Sequence, residues 1–515
     1  MIEVGLKHTS TLVVTDDVTA VKIGSGDMAV LATPAMMALM ENAAMLAVAD
    51  ALPEGSTTVG GHIASSHLKP SKVGDTVTAT AEVVKVDGKK IEFKVSAYQG
   101  DVLIGEGSHL RFVVDRERFM SKLGYVITNH TDMNNTDLKW VACWGNATSI
   151  TDRREAVYAK NLTLRYPVRM PFAGSALRFR FSNLTGTEPV TLSKVFVGHT
   201  PITFGGAISV TLQPGNEVES DAISYAVHRG DTVDVSMYLA DFTQMNSGTL
   251  ITGPLSKGFY AYGDFAEADE LPLDLTRHTN WFYFLNTIDV LTSPDNHAVV
   301  CYGDSITAQS WPDYLAQLAF GTNVSIIRRA VSGTRILRQY DCITYQAYGL
   351  KGATRFPIEM RVAGATDVII QHGINDIIHP VGEDVNPFRP WSDLPTVEEM
   401  QRGVEDIYVK PAKAMGLKVW SGTLLPIYGW RTYNEKRDAM RSEFNEWLRT
   451  SPVFDGCIDF DAAVRCATNP KAFADGFDSG DHLHPSERAY EAMAQAAAHK
   501  LIRHIPSTYD HEEQY

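Results

Sequence analysis

The stretch AVVCYGDSIT, residues 298–307, decides how the last part of the chain folds. The apolar run from Ala298 to Tyr302 has the length and composition of a buried β-strand. The run leads into Gly303, Asp304 and Ser305, and ligands bind beyond the carboxyl ends of the strands in open parallel sheets. The stretch therefore predicts a strand that delivers chemical groups to a binding edge.

More apolar runs follow, and helical stretches alternate with them. The runs are Val324–Ile327, Asp367–Gln371 and Lys418–Gly422. One helical stretch opens with a capping box made of Thr396 and Glu399. Because strands alternate with helices, we expect an α/β domain with a parallel, doubly wound sheet at residues 295–505.

Three later blocks add polar groups that suit acyl transfer. Gly333 follows the second apolar run, Asn375 follows the third, and Asp481 stands three residues before His484. An aspartate at that spacing can hold one imidazole nitrogen and leave the other to take a proton from a serine. His482 is a rival base only two positions away, and the Asp-x-x-His spacing favours His484.

Taken in order, these blocks resemble the SGNH (GDSL-type) hydrolases over residues 297–503. The resemblance implies a three-layer α/β fold in which Ser305 is the nucleophile, His484 its base and Asp481 the residue that orients the base. It also implies an oxyanion hole made by the N–H groups of Ser305 and Gly333 and by the side-chain amide of Asn375. Such donors stabilise the negative charge that develops during acyl transfer.

The segment before this domain has a different pattern. Residues 130–288 contain short alternating strands, separated by Gly, Asn and Pro, which predict an all-β sandwich. The layout is similar to the jelly-roll-like accessory module that precedes some SGNH carbohydrate esterases, which implies removal of acetyl groups from sugars. Trp391, Trp420 and Trp430 are candidates for stacking on a sugar ring. An esterase or lipase that acts on non-sugar esters is the alternative.

Residues 1–125 predict one long apolar helix wrapped by an antiparallel sheet, an α+β arrangement. Thr33 is expected to cap the helix and Pro34 to occupy its first turn. Strands are expected over residues 76–83, 91–98 and 102–114, with a turn at Asp87 and Gly88. Glu41 interrupts the apolar helix and lies about 12 Å along its axis from Thr33. A histidine placed between the two residues could contact both.

This segment is similar to the hotdog-fold thioesterases, most closely to fluoroacetyl-CoA thioesterase, through the runs that contain Thr33, Glu41, Gly60, His67 and Arg111. The resemblance implies that Thr33, Glu41 and His67 cleave an acyl-CoA and that Gly60 and Arg111 hold the thioester or the CoA. It also implies a homodimer or higher homo-oligomer, because hotdog domains pair to complete the sheet and the site. A domain kept only for dimerisation or acyl-CoA sensing is the alternative, and two further histidines, at 62 and 109, are expected to be structural.

Composition excludes several classes of partner. The chain has 46 basic and 61 acidic residues and a net charge of −15, which disfavours nucleic acids and anionic membranes. The first residues lack the pattern of a secretory signal, so a cytoplasmic location is expected. Five scattered cysteines predict reduced core residues, and we expect neither a metal nor another cofactor. Residues 506–515 are expected to form an acidic tail.

These observations predict an enzyme with two hydrolytic sites. One is a serine esterase that acts on a small-molecule or oligosaccharide ester, and the other is a thioesterase-like domain for acyl-CoA. A non-catalytic carbohydrate-binding or scaffolding protein is the alternative from a different class. The complete set of esterase residues, Ser305, Gly333, Asn375, Asp481 and His484, favours the enzyme.

Overall fold

The computed structural model describes residues 2–53, 56–115, 138–147, 149, 157–340 and 342–502. The chain forms two compact units, residues 1–132 and 133–515. The second unit contains both the predicted sandwich segment and the predicted hydrolase segment, and the division between these two stays a prediction. The predicted acidic tail lies outside the described residues.

In its described residues, the first unit is an antiparallel sheet of five strands with the order β1-β3-β4-β5-β2 and a long helix packed on it. The strands are β1 (Lys7–Val13), β2 (Ser56–His67), β3 (Thr76–Asp87), β4 (Lys90–Gln99) and β5 (Val102–Asp115). The helices are α1 (Ala20–Ile23) and α2 (Thr33–Val48), and 3-10 turns span Asp16–Val18 and Ala49–Ala51. Helix α2 buries Met36 and Met40 against the alternating apolar residues of β3.

The start of α2 differs from the expectation. The residue at the N-cap position is Ala32, and Thr33 is already in the first helical turn, so the prediction that Thr33 caps the helix is wrong. The physical reason is that the Thr33 hydroxyl has another partner, the Nδ1 atom of His67 at 2.9 Å. The helix therefore begins without a side-chain cap and leaves this hydroxyl at a candidate site.

The first part of the second unit is all-β in its described residues. The strands are β6 (Lys139–Gly145), β7 (Tyr158–Ala159), β8 (Leu162–Arg169), β9 (Gly174–Ser182), β10 (Val190–Leu192), β11 (Lys194–Val197), β12 (Thr200–Pro201), β13 (Val210–Leu212), β14 (Glu217–Glu219), β15 (Ile223–Val227), β16 (Thr232–Leu239), β17 (Thr243–Gln244), β18 (Gly248–Leu250), β19 (Gly258–Tyr262), β20 (Arg277–Thr279), β21 (Trp281–Tyr283) and β22 (Leu285–Thr292).

Two larger antiparallel sheets organise these strands. One has the order β12-β11-β16-β8-β19-β20, and the other has the order β14-β9-β22-β6 with β15 paired to β9. Phe179 and Phe181 from the second sheet and Val235 and Met237 from the first belong to one buried core. The segment is thus all-β, as predicted, and its assignment to a jelly-roll-like accessory module stays a prediction.

The rest of the unit is the α/β part. Its strands are β23 (His297–Gly303), β24 (Val324–Ala330), β25 (Ala365–Gln371), β26 (Lys418–Gly422) and β27 (Gly456–Ile458). Its helices are α3 (Ser305–Ala308), α4 (Trp311–Ala319), α5 (Gly352–Glu359), α6 (Ile374–Ile378), α7 (Val397–Val404), α8 (Lys410–Ala414), α9 (Glu435–Thr450), α10 (Phe460–Val464) and α11 (Glu487–Leu501). Two 3-10 turns, Ile343–Tyr348 and Trp391–Asp393, and one π-helical turn, Glu405–Val409, complete it.

The sheet is parallel throughout, with the order β24-β23-β25-β26-β27, as the alternating pattern predicted. Gly303 at the end of β23 is opposite Ala330 on one side and Gln371 on the other. The neighbouring strands β24, β23 and β25 therefore end at one edge of the sheet. The capping box of α7 is also present, because the Thr396 side chain accepts from the backbone N–H of Glu399 and the Glu399 side chain accepts from that of Thr396.

One buried cation joins the all-β and α/β parts. The guanidinium of Arg329 on β24 donates to the carbonyl oxygens of Asn146 and Asn286 and to the Thr287 hydroxyl. Arg329 is only 1% exposed, so these contacts replace the water that the charge would otherwise need. Ser325 adds a hydrogen bond from its hydroxyl to the Ala142 carbonyl. The two parts therefore share polar contacts in addition to their common core.

Candidate active sites

Ser305 stands where β23 ends and α3 begins. The Asp304 side chain accepts a hydrogen bond from the N–H of Ile306 at 3.1 Å and so caps this short helix. Gly303 is needed for close packing, because a Cβ there would overlap the carbonyl oxygen of Gln371 and the hydroxyl of Thr307. The result is a serine hydroxyl presented at the carboxyl edge of the sheet.

His484 and Asp481 lie beside this serine. The Ser305 Oγ is 2.9 Å from His484 Nε2, and His484 Nδ1 is 2.6 Å from Asp481 Oδ2. The other carboxylate oxygen of Asp481 accepts the backbone N–H groups of Leu483 and His484. Although partial burial opposes ionisation, the hydrogen bonds from the His484 side chain and from these two N–H groups lower the pKa of Asp481. The carboxylate is therefore held in its charged form.

The rival histidine has its own carboxylate. The Nδ1 atom of His482 is 2.6 Å from Asp478 Oδ2, and its side chain is half-exposed. The backbone of His482 is in the left-handed region, with φ of 66°. The chain turns at this residue, so the side chains of His482 and His484 take different partners. The structure thus places His484 on Ser305 and pairs His482 with Asp478.

The residues expected in the oxyanion hole line the same cleft. Ser305, Gly333, Asn375 and His484 all border a cavity of about 300 Å³. Gly333 has φ of 79°, and a Cβ there would also overlap the ring of Tyr348, so only glycine fits. One N–H of the buried Asn375 amide donates to the carbonyl of Thr334 at 3.0 Å, and the second is available to a ligand.

Two buried carboxyl groups support these loops. Asp376 accepts the N–H groups of Ile336 and Leu337 and thereby positions the chain that follows Gly333. Burial raises the pKa of Asp376 to about 6, against these hydrogen bonds. Burial, aided by the negative charge of Asp376, raises the pKa of Asp304 to about 7. Both groups act on loop backbone and not on the reacting serine.

The walls of the cleft include aromatic and basic side chains. They are formed in part by Tyr348, His379, Trp430 and Arg431. Of these, only Trp430 was expected from the sequence, since a single aromatic or basic residue in a loop carries no local signal. His379 follows Asn375 by four residues, so it was within reach of a helical-spacing argument.

The other two tryptophans proposed for sugar stacking lie elsewhere. Trp420 is on β26, where its indole N–H donates to Asp367 at 2.8 Å. Trp391 lies in a 3-10 turn, is half-exposed and packs on the guanidinium of Arg437. Neither borders the Ser305 cleft.

The first unit places Thr33 against His67. The Thr33 hydroxyl is 2.9 Å from His67 Nδ1, and both residues line a shallow cleft together with Leu68 and Lys69. Burial lowers the pKa of His67, although a hydrogen bond with the backbone of Lys69 acts in the other direction. The imidazole is therefore kept neutral, as a base must be. Its Nε2 atom is buried and has no hydrogen-bond partner among the described residues.

Glu41 contacts a different histidine. Its Oε1 atom is 3.4 Å from Nε2 of His109, whose Nδ1 is 2.8 Å from the carbonyl of His62. Burial lowers the pKa of His109, despite that hydrogen bond and the charge of Glu41. A Cβ at Gly60 would lie 2.6 Å from the Glu41 carboxylate, so the glycine makes room for that group. The contact between Glu41 and His109 was not expected from the sequence, in which His109 is a structural residue.

Arg111 is buried beneath this cluster. Its guanidinium donates to the Thr58 hydroxyl at 2.8 Å and to the Thr58 carbonyl at 2.7 Å. A third donor, Nη1, is 3.1 Å from His109 Nε2. Arg111 is 7% exposed, and within this chain its donors hold β2 and the Glu41 region.

The cysteines fit neither site. Cys143 and Cys301 are buried, whereas Cys342, Cys457 and Cys466 are only partly so. The expectation that all five belong to the core is therefore wrong for three of them, which lie in the 3-10, β27 and α10 regions near the surface.

No group of His, Cys, Asp and Glu suited to a metal ion occurs in the described ranges. Within those ranges, no helix is both long enough and apolar enough to cross a membrane.

Comparisons with known proteins match both units. The family model of the fluoroacetyl-CoA-specific thioesterase matches residues 14–117. The model of the GDSL-like lipase/acylhydrolase family matches residues 301–492, which contain Ser305, Gly333, Asn375, Asp481 and His484.

Similar proteins were found for the first unit. The fluoroacetyl-CoA thioesterase of Streptantibioticus cattleyicolor is 39% identical over 94 residues, which cover 18% of this chain and 68% of that protein. A solved structure of the fluoroacetyl-CoA thioesterase FlK is 33% identical, and the match covers 24% of this chain and 96% of that one, with a TM-score of 0.23. A hypothetical protein of Thermus thermophilus, a thioesterase superfamily member, is 25% identical over 24% of this chain and 92% of its own, also with a TM-score of 0.23.

The sequence identity and the two family models agree with the resemblances drawn from the motifs. The two family models cover residues 14–117 and 301–492. Through its first unit the chain belongs to the family of the fluoroacetyl-CoA-specific thioesterase, and its second unit carries a GDSL-like lipase/acylhydrolase domain, so the protein is a hydrolytic enzyme.

Proposed function

We propose that the Ser305 site hydrolyses short acyl esters, in particular acetyl esters of carbohydrates, by Ser-His-Asp acyl transfer. The observation that carries the proposal is the continuous chain of contacts from Ser305 through His484 to Asp481, at 2.9 and 2.6 Å. A nucleophile, a base and an orienting group within hydrogen-bond reach of one another are the requirements of this chemistry.

In the proposed reaction, Ser305 Oγ attacks the ester carbonyl while its proton passes to His484 Nε2. The oxyanion that forms accepts hydrogen bonds from the N–H groups of Ser305 and Gly333 and from the free N–H of the Asn375 amide. Collapse of this intermediate breaks the bond to the alcohol, which takes the proton from His484. Water then attacks the acyl-serine, with His484 as base, and releases the acid and Ser305.

Two features support a carbohydrate as the alcohol. Tyr348 and Trp430 border the cleft, and aromatic side chains of this kind can pack on the faces of sugar rings. The all-β segment precedes the hydrolase part and shares a core with it. A non-sugar ester remains the competing substrate, and the experiment must include both.

The test compares hydrolysis of acetylated oligosaccharides and of para-nitrophenyl acetate by the wild type, Ser305→Ala and His484→Ala. We expect kcat of both variants to fall by about 10³-fold or more, since each variant lacks one member of the Ser-His-Asp triad. His482→Ala is the matched control, because it removes a neighbouring histidine that also contacts an aspartate, and it should retain activity. Equal rates in the wild type and Ser305→Ala would refute the esterase. Hydrolysis of para-nitrophenyl acetate without hydrolysis of any acetylated oligosaccharide would refute a carbohydrate ester as the substrate.

The first unit supports a second activity. We propose that Thr33, Glu41 and His67 cleave an acyl-CoA, that Gly60 and Arg111 help to hold it, and that the unit acts as a homodimer or higher homo-oligomer. The contact of 2.9 Å between the Thr33 hydroxyl and a neutral His67 supports a hydroxyl that is activated or positioned by that base.

Release of free CoA from acetyl-CoA, fluoroacetyl-CoA and other short acyl-CoAs tests this activity. Thr33→Ala and His67→Ala should reduce the rate by about 10²-fold or more. Thr9→Ala is the control, because Thr9 shares its hydrogen bond only with Thr80 on an exposed face. An absence of CoA release from every thioester would leave dimerisation or acyl-CoA sensing as the role of the unit.

A further inference from the structure

One wall of the Ser305 cleft carries a cation without a carboxylate partner. Arg431 borders the cleft and is exposed, and its guanidinium lies 4.6 Å from the centre of the Trp430 ring. It forms no ion pair with a carboxylate of the described residues. Stacking on the indole orients the planar guanidinium and leaves its N–H groups free to bind an oxygen ligand.

Two polar atoms on the same wall also lack partners. His379 is 6% exposed and stacks on Tyr348 with a ring separation of 5.1 Å. The Nδ1 atom of His379 and the Nε1–H of Trp430 are buried and have no hydrogen-bond partner among the described residues. Buried polar groups without partners are unfavourable, and a ligand with oxygen acceptors would supply the missing hydrogen bonds.

The charge around this wall is positive. The nearby arginines that bear on His379 are Arg335, Arg389, Arg431 and Arg437. Arg335 pairs with Asp393 at 3.0 Å. The carboxylates near this cleft are Asp393, the buried Asp376, whose pKa burial raises to about 6, and Asp481, which is paired with His484 at 2.6 Å. Arg335 and Arg437 are each 2% exposed, whereas Arg431 is exposed, so Arg431 is the cation that a ligand in the cleft can reach.

We propose that the ester taken by the Ser305 site carries a carboxylate on its alcohol part and that Arg431, His379 and Trp430 bind it. The inference rests on the proposed esterase function and narrows its substrate to the acetyl esters of acidic alcohols, such as sugars that bear a carboxyl group. A carboxylate is planar and matches the two parallel N–H groups of a guanidinium. The acetyl part is uncharged and remains at the oxyanion hole.

A pair of aryl acetates that differ in charge tests the preference. Para-acetoxybenzoate and para-acetoxybenzamide have the same ester and nearly the same shape, and only the first is anionic. We expect the wild type to favour the anion in kcat/KM by about tenfold or more, and the ratio to fall towards one in Arg431→Gln and at high salt. Arg488→Gln is the matched control, because this exposed arginine also packs on an aromatic ring, that of Phe477, outside the cleft.

Equal kcat/KM values for the two esters in the wild type, or a ratio that Arg431→Gln leaves unchanged, would overturn the inference while the esterase stands. Calorimetric binding of para-hydroxybenzoate and para-hydroxybenzamide to Ser305→Ala decides the question independently of turnover. Tighter binding of the anion supports the carboxylate site, even if neither ester is hydrolysed by the wild type and the proposed function fails. Equal binding of the two compounds overturns it.

Discussion

The two candidate sites serve related chemistry and differ in how completely one chain assembles them. At the Ser305 site, the nucleophile, base and orienting carboxylate are linked by two hydrogen bonds, although they lie up to 179 residues apart in sequence. At the Thr33 site, the hydroxyl and His67 are linked, whereas Glu41 contacts His109.

The difference follows from the scaffolds. A parallel sheet brings the ends of adjacent strands to one edge, so residues from distant parts of the chain converge there. In the first unit, Thr33 and Glu41 are two turns apart on one helix, and a single histidine of the same chain contacts only one of them. We infer that the esterase is complete in one chain and that the thioesterase gains from a second copy.

The largest expected effect separates two neighbouring Asp-His pairs. Asp481→Asn should lower kcat for ester hydrolysis by about 10³–10⁴-fold, because an amide no longer holds the tautomer in which His484 Nε2 accepts the serine proton. Asp478→Asn makes the same chemical change beside His482 and should alter kcat by less than about threefold. Measured kcat values for para-nitrophenyl acetate check this. Similar losses in the two variants would mean that the pairs do not differ in role.

The second largest effect is expected from removing one hydrogen-bond donor of the proposed oxyanion hole, the amide of Asn375. Asn375→Ala should lower kcat by about 10²–10³-fold with little change in KM, since the donor acts on the charge of the transition state. Thioesterase activity of the same variant should be unchanged. Asn323→Ala, which removes an exposed amide that donates to the Asp295 carbonyl, is the control. A loss confined to KM would contradict the role given to Asn375.

Dilution should affect the two activities differently. If the thioesterase needs a second copy, its activity per mole of chain should fall by about tenfold as the enzyme is diluted through the dissociation constant of the dimer. Esterase activity per mole should stay constant over the same range. Sedimentation velocity at matched concentrations gives the oligomeric state. A monomer with full thioesterase activity would show that the Thr33 site is complete by itself.

The smallest expected effect concerns pH. Because burial lowers the pKa of His67, this base remains neutral below the ordinary histidine value of 6.5 and loses activity only at lower pH. The acid limb of the thioesterase kcat/KM profile should therefore lie below pH 6.5, and the effect at that pH is about twofold or less. Esterase activity in the same buffers checks that the protein stays folded. An acid limb above pH 6.5 would exclude His67 as the base.

Local motifs carried most of what could be predicted. The Gly303 to Ser305 and Asp481 to His484 blocks each have a strong local pattern, and the alternation of strands and helices brings them to one edge of a sheet. The position of Arg431 in the cleft could not be predicted, because it meets His379 only through the packing of distant segments, whereas the spacing of His379 from Asn375 was a usable signal. The role of Thr33 as a helix cap was wrong because a distant residue, His67, competes for its hydroxyl.

The contacts of Arg329 determine which truncations of the chain keep the α/β part stable. A truncation near residue 290 would separate the α/β part from Asn146, Asn286 and Thr287 and leave a buried guanidinium without most of its acceptors. Glu359 would remain as a partner, with its backbone carbonyl at 3.1 Å and its carboxylate at 3.6 Å from Arg329 Nε, but each lost hydrogen bond from a charged donor costs about 1.5–3 kcal/mol. A chain that keeps all of the second unit, residues 133–515, would retain these contacts. The all-β segment therefore stabilises the α/β part through contacts with one buried arginine, in addition to the shared core.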